Sequence, residues 1–172
     1  MIPALLGATA DAPAVAPVIT VRMGECAVAG GETLLRCVGL GSCIAITIFA
    51  PGQQLAALAH CMLPERDGGE GGPGKFVDTA VPYLLTVLRE SGASEPFAAT
   101  LVGAASMFAG LGAGFVRDIA EDNLVTARAM LAESAVPIRS EDTGGHIGRS
   151  VLVDPATQRV IVHTIRDGDR CL

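Results

Sequence analysis

Five thiols and three imidazoles carry most of the reactive chemistry of this sequence: Cys26, Cys37, Cys43, Cys61 and Cys171, with His60, His146 and His163. A cysteine attacks only as the thiolate, and with a free pKa near ~8.5 it needs an adjoining base or positive charge at neutral pH. Cys43 has the most suggestive surroundings, because it leaves the glycine-rich turn Gly39-Leu40-Gly41-Ser42. Such a bend keeps crowding at the sulfur low, and the backbone N–H groups around Ser42 and Cys43 can point at a developing oxyanion. His60 is the nearest imidazole in sequence and is the candidate base.

The elements that must hold this pair are two strands. Cys43 opens the apolar run Cys-Ile-Ala-Ile-Thr-Ile-Phe, suited to a strand buried on both faces, and Pro51-Gly52 ends it. Residues 55–63 read as the next strand, contain His60 and stop at Pro64. Hairpin pairing across one turn would set the two strands side by side and let an imidazole nitrogen approach the sulfur. Spacing alone leaves other thiols and imidazoles in competition. Cys61 follows His60 directly, so strand alternation turns it to the opposite face, where packing is its expected role. His146 is expected as a turn residue and His163 as a half-exposed strand residue. No recognised ligand spacing supports a zinc site among Cys43, His60, Cys61 and His146.

Further strands are expected over 18–28, 33–38, 97–102, 137–140, 150–153 and 159–165, with helices from about Val77 to Glu90 and over 123–134. Pro82 fits the first of these helices only if it lies in the first turn. Residues 65–74, dominated by Gly and Pro, are expected to form a mobile loop just after the His60 strand, placed to cover the site. Strands dominate and do not alternate strictly with helices, which points to an α+β fold. Residues 1–17, rich in Ala and Pro, are expected as a flexible tail before one domain over 18–172.

Composition narrows the functional classes. The formal charge is −6 and the pI about 4.9, so no basic surface is indicated for nucleic acid. No apolar run approaches the ~20 residues of a membrane-spanning helix. Half of the residues are apolar with no Trp, so small aliphatic side chains must fill the core. An odd cysteine count without a Cys-x-x-Cys pair fits a reducing cytoplasm.

The segments Gly39-Leu40-Gly41-Ser42-Cys43-Ile44-Ala45 and Ala59-His60-Cys61-Met62-Leu63-Pro64 resemble the signature of the chemoreceptor glutamine deamidases, the CheD family. Three further groups agree in order: Lys75-Phe76-Val77-Asp78-Thr79-Ala80-Val81, then Gly103-Ala104-Ala105-Ser106-Met107-Phe108, then Glu141-Asp142-Thr143-Gly144-Gly145 with Gly148-Arg149-Ser150. Any one is weak, but the ordered set from about Val21 to Ile165 is specific. The resemblance implies nested β-sheets with flanking helices in a three-layer α/β/β sandwich. It implies a Cys43–His60 pair that deamidates glutamines on the cytoplasmic helices of methyl-accepting chemoreceptors, with no metal or organic cofactor. It also implies pairing with a CheC-type phosphatase.

Three positions depart from the family pattern. Cys37 stands where the family's third catalytic position is usually Thr, Asp122 where Arg is usual, and His146 where Asn is common. A thiol is a weaker hydrogen-bond partner for an imidazole than a hydroxyl. Cys37 therefore motivates an alternative reading, a non-catalytic regulator that binds a CheC-type phosphatase or receptor. Acyl transfer of the transglutaminase type is a third expectation, since an amine can replace water at the same thioester. Phe108 falls in the segment that the resemblance makes partner-facing.

Overall fold

How many faces a strand buries decides its place in the layers. The computed structural model describes residues 16–106 and 118–172. In strand β4 (Ile44–Ala50) all seven residues are buried, and in β5 (Leu55–Cys61) all but the first. These two pair antiparallel at the centre of a sheet ordered β2 (Cys26–Gly30), β5, β4, β6 (Ala98–Gly103) and β7 (Ile138–Thr143). Only the β6–β7 pairing in this sheet is parallel.

Strand periodicity sends alternate residues of β4 and β5 into two different cores. Ile44, Ile46, Ile48, Ala57, Ala59 and Cys61 pack beneath helices α1 (Val77–Glu90) and α2 (Ile119–Glu133). Ala45, Phe49, Ala56 and Leu58 face the other way, onto Leu35, Cys37, Val151, Val153, Val160 and Val162. Those partners belong to a second sheet, ordered β1 (Val18–Thr20), β3 (Leu34–Leu40), β8 (Arg149–Asp154), β9 (Arg159–Thr164) and β10 (Gly168–Cys171). Helices, central sheet and outer sheet form three layers of an α+β fold, as expected.

The differences from expectation have local causes. The strand expected over 18–28 is two strands in different sheets, because the chain turns at Gly24, whose φ of +80° suits glycine. Pro82 lies in the second turn of α1, yet the helix continues to Glu90. Burial of Ala80, Val81, Leu84, Leu85 and Leu88 against the central sheet outweighs the hydrogen bond that proline forfeits. Helix α2 begins at Ile119 rather than 123, where the Asp118 carboxylate accepts from the N–H groups of Ala120 and Glu121. Strand β7 runs on through Glu141 to Thr143, and the polar strand β10 carried no apolar signal. Residues 65–74 are irregular, with Arg66 N–H donating to Asp78 at 3.0 Å and the Lys75 ammonium to the Glu70 carbonyl at 2.8 Å. Of the expected tail only residues 16 and 17 are described, and Pro17 accepts from Leu34 N–H at 2.8 Å.

Candidate active site

The hairpin expected from sequence is present: β4 and β5 pair with Ala45 opposite His60 and Ile44 opposite Cys61. Cys43 immediately precedes β4, so it lies diagonally from His60 on the same side of the sheet, a relation that spans about 7–8 Å between backbones. That side faces the outer sheet. Cys43 is half-buried and packs on the inter-sheet core, while His60 is only 1% exposed. Cys61 points into the opposite core, under the helices, as alternation requires.

The backbone of His60 is fixed on its far side, donating to the Glu25 carbonyl at 3.1 Å and accepting from Gly24 N–H at 2.9 Å. Its two ring nitrogens are buried and have no hydrogen-bond partner among the described residues. The Val21 carbonyl faces the ring without reaching hydrogen-bond geometry, and its pull only partly offsets burial, which lowers the imidazole pKa. Burial raises the Cys43 pKa, and the thiol's own backbone N–H pulls the other way. Both shifts favour the neutral thiol and the neutral imidazole. An imidazole that is neutral at pH 7 can accept the thiol proton.

Cys37, on β3, is fully buried in the same inter-sheet core that Cys43 packs against. Burial raises its pKa, with Cys26 and Cys43 near enough to add to the effect. Among the described residues its sulfur makes no hydrogen bond. The other two imidazoles have partners of their own. His146 pairs through Nδ1 with the Ser106 carbonyl at 2.7 Å, and His163 with the Asp169 carboxylate at 2.6 Å. Both match the ordinary roles expected of them. Phe108 lies outside the described residues.

The turn that delivers Cys43 is held by other parts of the chain. Ala105 N–H donates to the Gly41 carbonyl at 2.8 Å and Ala104 N–H to the Cys43 carbonyl at 2.7 Å. Gly103 approaches so closely that an added Cβ would stand 2.5 Å from the Cys43 carbonyl oxygen, at a φ of +113°. The Gly103 carbonyl is in turn bound by Arg149 at 3.0 Å, which also donates to Gly144 at 2.7 Å and pairs with buried Asp142 at 3.1 Å. Arg170 joins Asp142 from the outer sheet. The separated sequence segments containing Gly103, Asp142, Gly144 and Arg149 therefore form one brace behind Cys43. A cavity of about 510 Å³ opens beside Asp142, Arg149 and Arg170. Neither Cys43 nor His60 lines it, so its size says nothing about the thiol chemistry.

A residue missed by the sequence reading is Asn123, fully buried on α2. Its side-chain amide donates to the Ser42 carbonyl at 2.9 Å and to the Met62 carbonyl at 3.2 Å. No local pattern marks it, because both acceptors are far away in sequence.

A thiol and an imidazole on one face of a sheet, at the end of a braced glycine turn, define a site suited to thiol-based acyl chemistry. Comparison with known proteins supplies the family: residues 62–164 match the model described as CheD chemotactic sensory transduction. A probable chemoreceptor glutamine deamidase CheD 1 of Methanosarcina acetivorans is 32% identical over 158 residues, covering 90% of this chain and 97% of the relative. A probable chemoreceptor glutamine deamidase CheD of Pyrococcus abyssi is 36% identical over 87% of this chain and 93% of the relative. The chemoreceptor glutamine deamidase CheD of Thermotoga maritima is 34% identical over 87% and 94% respectively. The chain belongs to the CheD family.

Proposed function

We propose that this protein is a chemoreceptor glutamine deamidase acting in the cytoplasm, with Cys43 as nucleophile and His60 as general base. The observation that carries the reading is the placement of a half-buried thiol and a buried imidazole, without a hydrogen-bond partner among the described residues, on one sheet face, in a chain whose relatives are named as deamidases. The family match begins at Met62. The roles of Cys43 and His60 therefore rest on the resemblance of their own segments and on this geometry.

His60 takes the thiol proton as the Cys43 sulfur attacks the carboxamide carbon of a receptor glutamine. The oxyanion of the tetrahedral intermediate is met by backbone N–H groups of Ser42 and Cys43. Collapse breaks the C–N bond, and ammonia leaves with the proton that His60 held. Water then gives a proton to His60 while its oxygen attacks the thioester carbon. The thiol is regenerated and glutamate released. Cys37 takes the family's third position from the inter-sheet core on which Cys43 also packs, and its thiol holds the imidazole only weakly. A CheC-type phosphatase is proposed to engage the segment around Phe108, which the family resemblance makes partner-facing.

The test is the mass of a purified receptor cytoplasmic fragment after incubation. Wild type is expected to add about 1 Da at selected glutamines and release ammonia, the amide-to-acid change. Cys43→Ala should lower the rate by at least about 10⁴-fold, the scale of losing a nucleophile. An unchanged receptor mass with folded wild-type protein would refute the activity.

A further inference from the structure

Three consecutive carbonyls of the nucleophile turn are held. Gly41 accepts from Ala105 N–H at 2.8 Å, Ser42 from the Asn123 amide at 2.9 Å, and Cys43 from Ala104 N–H at 2.7 Å. Because a trans peptide is planar, fixing a carbonyl oxygen fixes the N–H on the opposite side of the same plane. The Gly41 carbonyl thus sets the Ser42 N–H, and the Ser42 carbonyl sets the Cys43 N–H. These are the two donors that the mechanism proposed above sets against the oxyanion. Of the three holds, the one on the Cys43 N–H plane alone is made by a side chain.

Asn123 is built for that hold. It is fully buried, and both hydrogens of its amide are used, the second on the Met62 carbonyl at 3.2 Å. Met62 directly follows β5, the strand of His60. One side chain on α2 therefore ties the peptide that carries the Cys43 N–H to the chain segment that carries the base. Polarisation acts in the same sense, since a hydrogen bond accepted by the Ser42 carbonyl makes the N–H of that peptide a stronger donor.

We infer that Asn123 is a positioning residue for the reaction, acting through the Ser42–Cys43 peptide to aim the Cys43 N–H at the oxyanion. The inference rests on the thiol chemistry proposed above and extends it to a residue on a different element. It makes a separable prediction: losing Asn123 should slow attack on a carbonyl, which builds an oxyanion, more than attack on an alkyl halide, which builds none.

The experiment compares wild type with Asn123→Leu and Asn123→Asp, two near-isosteric changes that remove the amide donors. Acylation of Cys43 by p-nitrophenyl acetate and its alkylation by iodoacetamide are both followed on the Cys43 peptide by mass spectrometry. Ammonia release from a receptor fragment gives kcat and KM, and thermal melting shows that each variant is folded. Acylation and kcat are expected to fall about 10- to 100-fold, the scale of a misplaced oxyanion donor. Alkylation and KM should stay within about twofold. A wild-type ratio of acylation to alkylation in folded Asn123→Leu, which has no donor, would overturn the inference. So would a parallel loss of both, which would make Asn123 merely structural. Should wild type be acylated yet release no ammonia from receptors, the deamidase reading fails, and the ratio still decides the role of Asn123.

Discussion

Burial acts on Cys43 and His60 in opposite directions along the pH axis, raising the thiol and lowering the imidazole, and both shifts favour the neutral pair. Protonating His60 removes the base, and its lowered pKa moves that event to lower pH. The acid limb of kcat/KM should therefore fall below ~6.5, the ordinary imidazole value. A profile of kcat/KM between about pH 4.5 and 8 checks this; an inflection above the ordinary value would contradict a buried neutral base. The thiols make a second prediction. Burial pushes Cys26 from 9.0 up to about 12 and raises Cys37 and Cys61 as well. Above pH 9 the unfolded chain releases protons that the folded chain keeps, so this contribution to stability is complete below 9 and declines as pH rises towards 12. Denaturation midpoints should fall across that window, a loss read by urea titration at stepped pH.

At the scale of elements, the hairpin is the decisive unit. Its register, Ala45 opposite His60, sets the base on the inter-sheet face and leaves Cys61 on the helix face. The loop that follows is anchored where it begins and ends, since Met62 and Leu63 N–H both donate to the Lys75 carbonyl, at 2.9 and 3.2 Å. Between those anchors its hydrogen bonds are mostly exposed ones, such as Arg66 Nε to Gly69 and Lys75 Nζ to Glu70. Bonds of that kind contribute little to stability, about 0.5–1.5 kcal/mol each at most. Removing residues 67–72 should therefore lower kcat more than it lowers the melting temperature, the outcome that the expected role over the site requires. Kinetics and melting of the shortened protein together check this, and equal losses would argue for a structural role.

Across the whole molecule, the two sheets share a core and also an ionic tie. Asp142, on the central sheet, is 8% exposed and receives Arg149 and Arg170 from the outer sheet. Arg149 is itself nearly buried and further holds the carbonyls of Gly103 and Gly144. Arg149→Met would leave Asp142 with only its exposed partner and two carbonyls without donors. A loss of about 3–5 kcal/mol is expected, the cost of breaking a buried pair from one side, measurable by urea denaturation. Because Gly103 abuts the Cys43 carbonyl, kcat should fall as well.

The sequence by itself determined most of the strands, the hairpin and the candidate pair. Apolar runs and glycine punctuation are local signals, and a two-strand hairpin is the shortest route by which Cys43 and His60 could meet. The α+β class was legible for the same reason. The ordered motifs named the family without explaining why Gly103, Asp142, Gly144 and Arg149 accompany the pair. Only the tertiary structure showed these residues to be one brace, because their contacts join strands of different sheets. It alone revealed Asn123, whose two acceptors lie on other elements, and β10, whose polar residues leave no periodic trace. It also decided which core each face of the hairpin meets: alternation gives two faces to every strand, and only the layers packed on each side set Ala45 towards the outer sheet and Cys61 under the helices.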